Sequence, residues 1–405
     1  MTTHALALCI GAGPEQIGSI LKAQSLGYRV LALDGDPNAP GLALACESRV
    51  ANICDVDAVV TIARSAGVAL TLPVPIGRLL ATQGRVHDEL GLHGVSYETA
   101  MICTDKAAFH RCLAAAKIDL PWQCSYETVA ELKDENGAEW PFPVVIKPTY
   151  GSGSRGVLVL NSEEAWHQLS QNTNNLTSHY GVGAVIEAFI DGIVLGIDGA
   201  VAAGEVVITT VREKEMTPLP WRVELAYKTP SCLPNEATPR IYKEISSALK
   251  ALGVDGSTFH ADAVWTDNGR LVIIEMSARP AGLMITRGLV PLSTGVDFLA
   301  EAIKLHATGY GSFEAKYAVP SLLHYWHHNG GIVKQLPSSK EILQDPHVAD
   351  VEINLRIGQT LHIPASVGEL IVNGYMLLRA NTWTEIEDSR RHAISLINIE
   401  SKQYQ

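Results

Sequence analysis

No stretch of this sequence reaches the roughly 18 consecutive apolar residues that a membrane-crossing helix requires, so nothing in it calls for a bilayer. Cationic charge is also scarce: 31 Lys and Arg stand against 43 Asp and Glu, a formal net charge of -12. Such a balance opposes the attraction to phosphate backbones that supplies most nucleic-acid affinity, and no nucleic-acid partner is expected. Cysteine is sparse and badly spaced. The seven (Cys9, Cys46, Cys54, Cys103, Cys112, Cys124, Cys232) form no CxxC pair, and an odd number cannot complete a disulfide framework. A reducing, cytoplasmic setting is expected. The N-terminal apolar run Ala5 to Ile10 is too short for a signal-peptide core and has no Lys or Arg ahead of it, so it reads as a first strand. What the chain does have is length and apolar content, 405 residues at 47% hydrophobic, enough for two or three packed domains.

Periodicity divides the chain in three. The run from His4 to Ile10, the turn Gly11-Ala12-Gly13-Pro14-Glu15-Gln16-Ile17-Gly18 and a helical pattern with Ile17, Ile20 and Leu21 on one face predict strand, glycine turn and helix. Further strands at Arg29 to Leu33 and Val68 to Pro73 predict a parallel sheet covered on both faces, ending near residue 103. A helix from Asp105 to Lys117, the strand Val144 to Lys147, a strand from Ala184 to Ile190 and the hairpin His260–Thr266/Arg270–Glu275 follow, the last around Asp267-Asn268-Gly269. Beyond residue 310, short strands with glycine turns and a final helix from Trp383 to Ile397 suggest a small α+β domain. The fold class expected is α/β and α+β.

The glycine motifs differ in weight. The first turn with Asp34 at the end of the second strand admits a nicotinamide dehydrogenase or a plain tight turn, but its GxGxxxxG spacing exceeds the dinucleotide fingerprint and no hydride-transfer site follows. The second is stronger. Lys147 ends an apolar strand, where an unpaired ammonium is costly, and Gly151-Ser152-Gly153-Ser154-Arg155-Gly156 follows as a hairpin of small residues whose amides suit a triphosphate. Glu187-Ala188-Phe189-Ile190 reads as an adenine-binding hinge, with Phe189 and Ile190 holding the ring, or as an edge strand with one solvated acid. Asp262 and Glu275 bring two carboxylates to one sheet edge, with Ser277 and Arg279 beyond. Magnesium would relieve their repulsion; a salt-bridged hairpin is the alternative. His260 and Arg287 are candidates for substrate contact, together with the segment Met216 to Ser231, in which Trp221, Arg222, Glu224 and Tyr227 stand out.

In order and spacing these segments resemble the ATP-grasp superfamily, most closely its L-amino-acid ligases, over nearly the whole chain. The resemblance implies an ATP-grasp fold: a Rossmann-like pre-ATP-grasp domain (1–103), an ATP-grasp domain (104–310) with a lid at about 120–198, and a C-terminal closing domain (311–405). It implies that Lys106 and Lys147 contact ATP phosphates, that residues 151 to 156 close over them, that Glu187 to Ile190 hold adenine, and that Asp262, Glu275 and Ser277 bind two magnesium ions, manganese serving as well. Arg279 falls on the arginine of the usual ExNxR. The implied activity is ADP-forming ligation of a carboxylate to an amine through an acyl phosphate, with small-molecule substrates and a homodimer as the expected partners. A biotin-carboxylase or purine-synthesis type using bicarbonate or formate is the alternative, and a nucleotide-binding regulator that has lost catalysis is a further one. The chain departs from the pattern at Asp262 (usually Glu), Ser277 (usually Asn), Val194 (usually an acid) and Ala281-Gly282 (usually Gly-Gly). Val194 cannot hold a ribose hydroxyl, so that contact is either absent or supplied from elsewhere, with Asp198 a candidate.

Overall fold

The computed structural model describes residues 5–400 apart from Ser152 and Leu283. The first strands, β1 (Leu6–Ile10), β2 (Arg29–Asp34), β3 (Glu47–Val50) and β4 (Leu70–Thr71), form a parallel sheet in the order β3-β2-β1-β4. All five side chains of β1 are buried, as expected of a central strand covered on both faces. Gly11, at φ +89, turns the chain where a Cβ would be strained. Asp34 is consumed by this turn: its Oδ2 accepts from the Ala12 amide at 2.7 Å and its Oδ1 from the Asp36 amide at 2.9 Å. The acid that a dehydrogenase would offer to a ribose is therefore a structural cap.

A second sheet, antiparallel, consists of β5 (Gln123–Tyr126), β6 (Val144–Pro148), β7 (Leu158–Leu160) and β8 (Ala184–Ala188) in the order β5-β8-β6-β7. It has a hydrophobic core of its own around Leu132, Trp140, Ile146, Trp166 and Tyr180. A separate core lets such a unit move as a body. The base is a larger antiparallel sheet: β9 (Ile193–Ala202), β10 (Glu205–Met216), β11 (Glu224–Thr229), β12 (Ser257–Trp265) and β13 (Leu271–Ser277). The expected lid of 120–198 overruns the small sheet, because β9 pairs along its length with β10 and β12 of the base.

The C-terminal part contributes β14 (Ser321–Tyr325), β15 (Gly331–Gln335), β16 (Val348–Ile353), β17 (Thr360–Leu361), β18 (Gly374–Arg379) and β19 (Asn398–Glu400). The base sheet continues past the expected boundary at residue 310. β11 pairs with β14, so that one eight-stranded sheet runs β13-β12-β9-β10-β11-β14-β18-β16, and only β15, β17 and β19 form a sheet of their own. All five residues of β14 are buried, a pattern that demands ladder partners on both edges. Among the described residues no helix is long and apolar enough to cross a membrane.

The first domain is tied to the base through shared core residues and through a buried polar knot. His87 Nδ1 donates to the Val95 carbonyl at 2.8 Å, which leaves Nε2 to meet the Thr71 hydroxyl at 2.6 Å, while His306 Nδ1 reaches the Thr71 carbonyl at 2.9 Å. The two imidazoles meet edge to face with centroids 5.5 Å apart. Burial pulls His87 down to about 4 and His306 down to about 3 from 6.5, the neighbouring imidazole adding to the second. Both are neutral when folded but protonate near 6.5 when unfolded, so the unfolded state binds more protons between these values. Stability should fall as pH drops from 6.5 towards 4, by about 1.4 kcal/mol per pH unit for each histidine. Urea unfolding across that range checks this. His306→Gln should show a shallower decline, and an equal slope in variant and wild type would contradict the assignment.

Candidate active site

A cavity of about 550 Å³ opens between the lid sheet and the base. Its walls include Lys106, Lys147, Gly151, Gly153, Ser154, Glu187, Ala188, Phe189, Ile190, His260, Asp262, Glu275, Ser277 and Arg279, so most residues singled out from sequence meet in one space. Gly156 and Arg287 are not among its walls, and Ser152 lies outside the described residues. Gly156, at φ +71, packs behind the hairpin, with its carbonyl accepting from Tyr180 Oη at 2.7 Å. Arg287 is exposed, its Cδ 3.3 Å from where a Cβ at Gly18 would stand.

On the lid side, Lys147 and Glu187 face each other diagonally, since Val145 pairs with Glu187 and Lys147 lies two residues on along the same face. Lys147 Nζ is 2.5 Å from Glu187 Oε1, and His110 Nε2 approaches the same oxygen at 3.0 Å. His110 is one helical turn beyond Lys106 on the helix Lys106–Ala115, which places both on one face. Burial alone would raise Glu187, but Lys147 and then His110 outweigh it and hold the carboxylate below its ordinary value. The carboxylate thus positions Lys147 through Oε1 while Glu187 stays in the cavity wall. Phe189 is also engaged, with the Arg222 guanidinium 5.5 Å above its ring. Lys106 Nζ donates to the Gly151 carbonyl at 3.2 Å and stands 3.9 Å from Glu275 Oε1.

On the base, Asp262 pairs with Glu275, and His260 with Ser277, across β12 and β13. Alternation puts all four on the cavity face. Lys214 Nζ at 2.7 Å and His260 Nε2 at 2.9 Å both converge on Asp262 Oδ1, and Lys214 also meets Glu224 Oε1 at 3.2 Å. Burial opposes the charged forms here, yet Lys214 holds Asp262 well below its ordinary value, and Asp262 holds Lys214 above its own. His260 is raised in turn by Asp262 and Asp198 despite burial, and is a clamp between two acids. Asp198 is fully buried, 2.9 Å from Arg212 Nη2 and 3.0 Å from His260 Nδ1, so it is not the substitute ribose contact. Gly196 is what makes room for Arg212: a Cβ there would lie 1.9 Å from Nη1.

Sequence reasoning missed Arg212, Lys214 and His110. The one signal was in β10, where Arg212 and Lys214 stand two apart in a strand and so share a face. It did place Arg222, Glu224 and Tyr227 in the region of interest, and all three line the cavity. No pattern pointed to Val367, Gly368 and Ile371, which the C-terminal part adds to the wall, with the Val367 amide donating to the Gly153 carbonyl at 3.2 Å.

Residues 140–287, which include the strands that wall this cavity from Lys147 to Arg279, match the family model of the ATP-grasp domain. The chain thus carries an ATP-grasp domain over that span. Among known proteins it is similar to the alanine–anticapsin ligase of Bacillus subtilis, 26% identical over 229 residues covering 50% of this chain and 47% of that one. It is similar also to the formate-dependent phosphoribosylglycinamide formyltransferase of a Synechococcus strain, 25% identical over 308 residues covering 71% and 73%. The structure of an L-amino acid ligase from Bacillus licheniformis superposes with a TM-score of 0.82 at 20% identity, over 98% of this chain and 99% of that one, a likeness of fold. The chain spans about half the length of the first curated relatives it matches.

Proposed function

We propose that this chain is an ATP-dependent, ADP-forming carboxylate–amine ligase that joins an amino acid or related carboxylate to an amine through an acyl phosphate. One observation carries the reading: Lys106, Lys147, Lys214 and Arg279 converge on a single cavity, and the buried Arg279 Nε has no protein acceptor. Buried guanidinium groups left this way are costly unless an anion completes them. Paired carboxylates at 262 and 275 stand on the base sheet, whereas Lys147 belongs to the lid sheet.

In this reading Lys106 and Lys147 take the ATP phosphates, and the hairpin at 151–156, docked on Val367, excludes the water that would hydrolyse an acyl phosphate. Arg279 receives the charge that develops on the acyl oxygen. Asp262, Glu275 and Ser277 offer oxygens on one face and fit magnesium. Among the described residues no group of three or more His, Cys, Asp or Glu could hold an ion, so phosphate oxygens must complete its shell. When bound, magnesium neutralises phosphate charge that would repel the attacking carboxylate. The likeness to alanine–anticapsin ligase supports the amine-ligating reading; the likeness to the formate-dependent enzyme supports formate as the acyl source instead.

Incubation with ATP, magnesium and an amino-acid mixture should release ADP and phosphate and yield a condensed product by mass spectrometry. Glu275→Ala should lower this turnover by about 10²-fold or more. Release driven by formate or bicarbonate, with no amino acid consumed, would favour the alternative. Near-normal turnover in the variant would overturn the role of Glu275.

A further inference from the structure

Glu15 and Pro75 bring the first domain into the cleft, and of the two only Glu15 carries a charge. It lies on the single turn Pro14–Gln16 after the glycine bend of β1, where Gln16 folds back beneath Gly11 and Gly13 while Glu15 reaches the cavity. Its landing place is Gly282. A Cβ built there would stand 2.6 Å from Glu15 Oε2 and 3.4 Å from Pro75 Cβ, so the backbone at 282 is open because the first domain presses a carboxylate onto it. Gly282 is three residues beyond Arg279, whose guanidinium feels the Glu15 charge.

We propose that Glu15 binds the ammonium group of the acceptor amine and accepts its proton, an assignment that rests on the ligase reading above. A carboxylate that lines the same cavity as the guanidinium assigned to the acyl oxygen is placed to hold a cation in the cleft where the acyl carbon would lie. The R–NH3+ group gives one proton to Glu15. The freed lone pair forms the C–N bond, and the C–O bond to phosphate breaks. The second nitrogen proton leaves with the phosphate as hydrogen phosphate, and Glu15 returns its proton to solvent. The first half-reaction, transfer from ATP to the acyl donor, does not use Glu15.

The test separates the two halves. Hydroxylamine is an uncharged nucleophile near neutral pH and needs neither a counter-charge nor a base, so it traps the acyl phosphate as a hydroxamate. Glu15→Gln should lose about 10²-fold in kcat/KM for the amine, with its KM raised, yet form hydroxamate within about threefold of wild type. Gly282→Ala, which displaces the carboxylate without removing it, should likewise lower amine use and leave hydroxamate formation within about threefold of wild type. Amine use by Glu15→Gln within about twofold of wild type, or an equal loss of hydroxamate formation, would overturn the assignment. A wild-type protein that forms neither hydroxamate nor ADP from any carboxylate would instead overturn the ligase reading, and the assignment with it.

Discussion

Replacing Lys147 with Met should abolish nucleotide-dependent turnover and destabilise the lid at the same time, and a second substitution separates the two effects. Lys147 is buried against Glu187, which has only 2% of its surface exposed, so removing the ammonium strands a carboxylate in an apolar sheet. Breaking a buried pair by deleting one partner costs about 3–5 kcal/mol. Adding Glu187→Gln removes the orphaned charge. The double variant should recover most of the lost stability in urea unfolding, because an amide can still bond within the sheet. Its kcat/KM for ATP should stay about 10²- to 10³-fold down, because no cation remains at the strand end to meet the phosphates. ATP binding by the double variant at wild-type affinity, measured by calorimetry, would show that Lys147 serves the lid alone.

Arg279→Ala should behave in the opposite way, with a large loss of rate and little loss of stability. Burial pulls the guanidinium down from its ordinary value, with Glu275 and Asp262 opposing, so the fold gains little from holding a charge there. Its Nη1 donates to the Pro280 carbonyl at 3.0 Å, which fixes the plane, while Nε has no protein acceptor. A group kept at such cost with one donor unmet is aimed at a ligand. Losing it should lower kcat by about 10²- to 10³-fold, with unfolding free energy within about 1 kcal/mol of wild type. Arg279→Lys should restore little, since an ammonium cannot reproduce the planar fork of donors. A variant that turned over normally would remove Arg279 from the chemistry.

The contrast between these residues shows what kind of information each carried in the sequence. Lys147, Asp262 and Glu275 were legible because an ionisable group in an apolar strand breaks a local pattern and announces an electrostatic requirement. The strand pairing then places Asp262 opposite Glu275, as the hairpin around Asp267-Asn268-Gly269 required. Glu187 was legible as a position but not as a role: whether its carboxylate faces a ligand or a lysine depends on which residue lies diagonally across the ladder. Arg212 and Lys214 escaped because alternating charge in a long strand looks like a solvated edge until β9 and β11 are known to cover both sides. Asp34 and Asp198 were drawn towards ligands by their position, whereas their hydrogen bonds commit them to the turn and to Arg212.

By itself the sequence determined the class of fold and most walls of the cleft, because glycine turns, strand alternation and buried charge are local properties that chain order preserves. Only the tertiary structure decided that the C-terminal strands extend the base sheet, that Val367 props the glycine hairpin, and that Glu15 reaches Gly282. Those contacts join residues far apart along the chain, and their geometry follows from strand pairing and interdomain packing, on which short-range periodicity has no bearing.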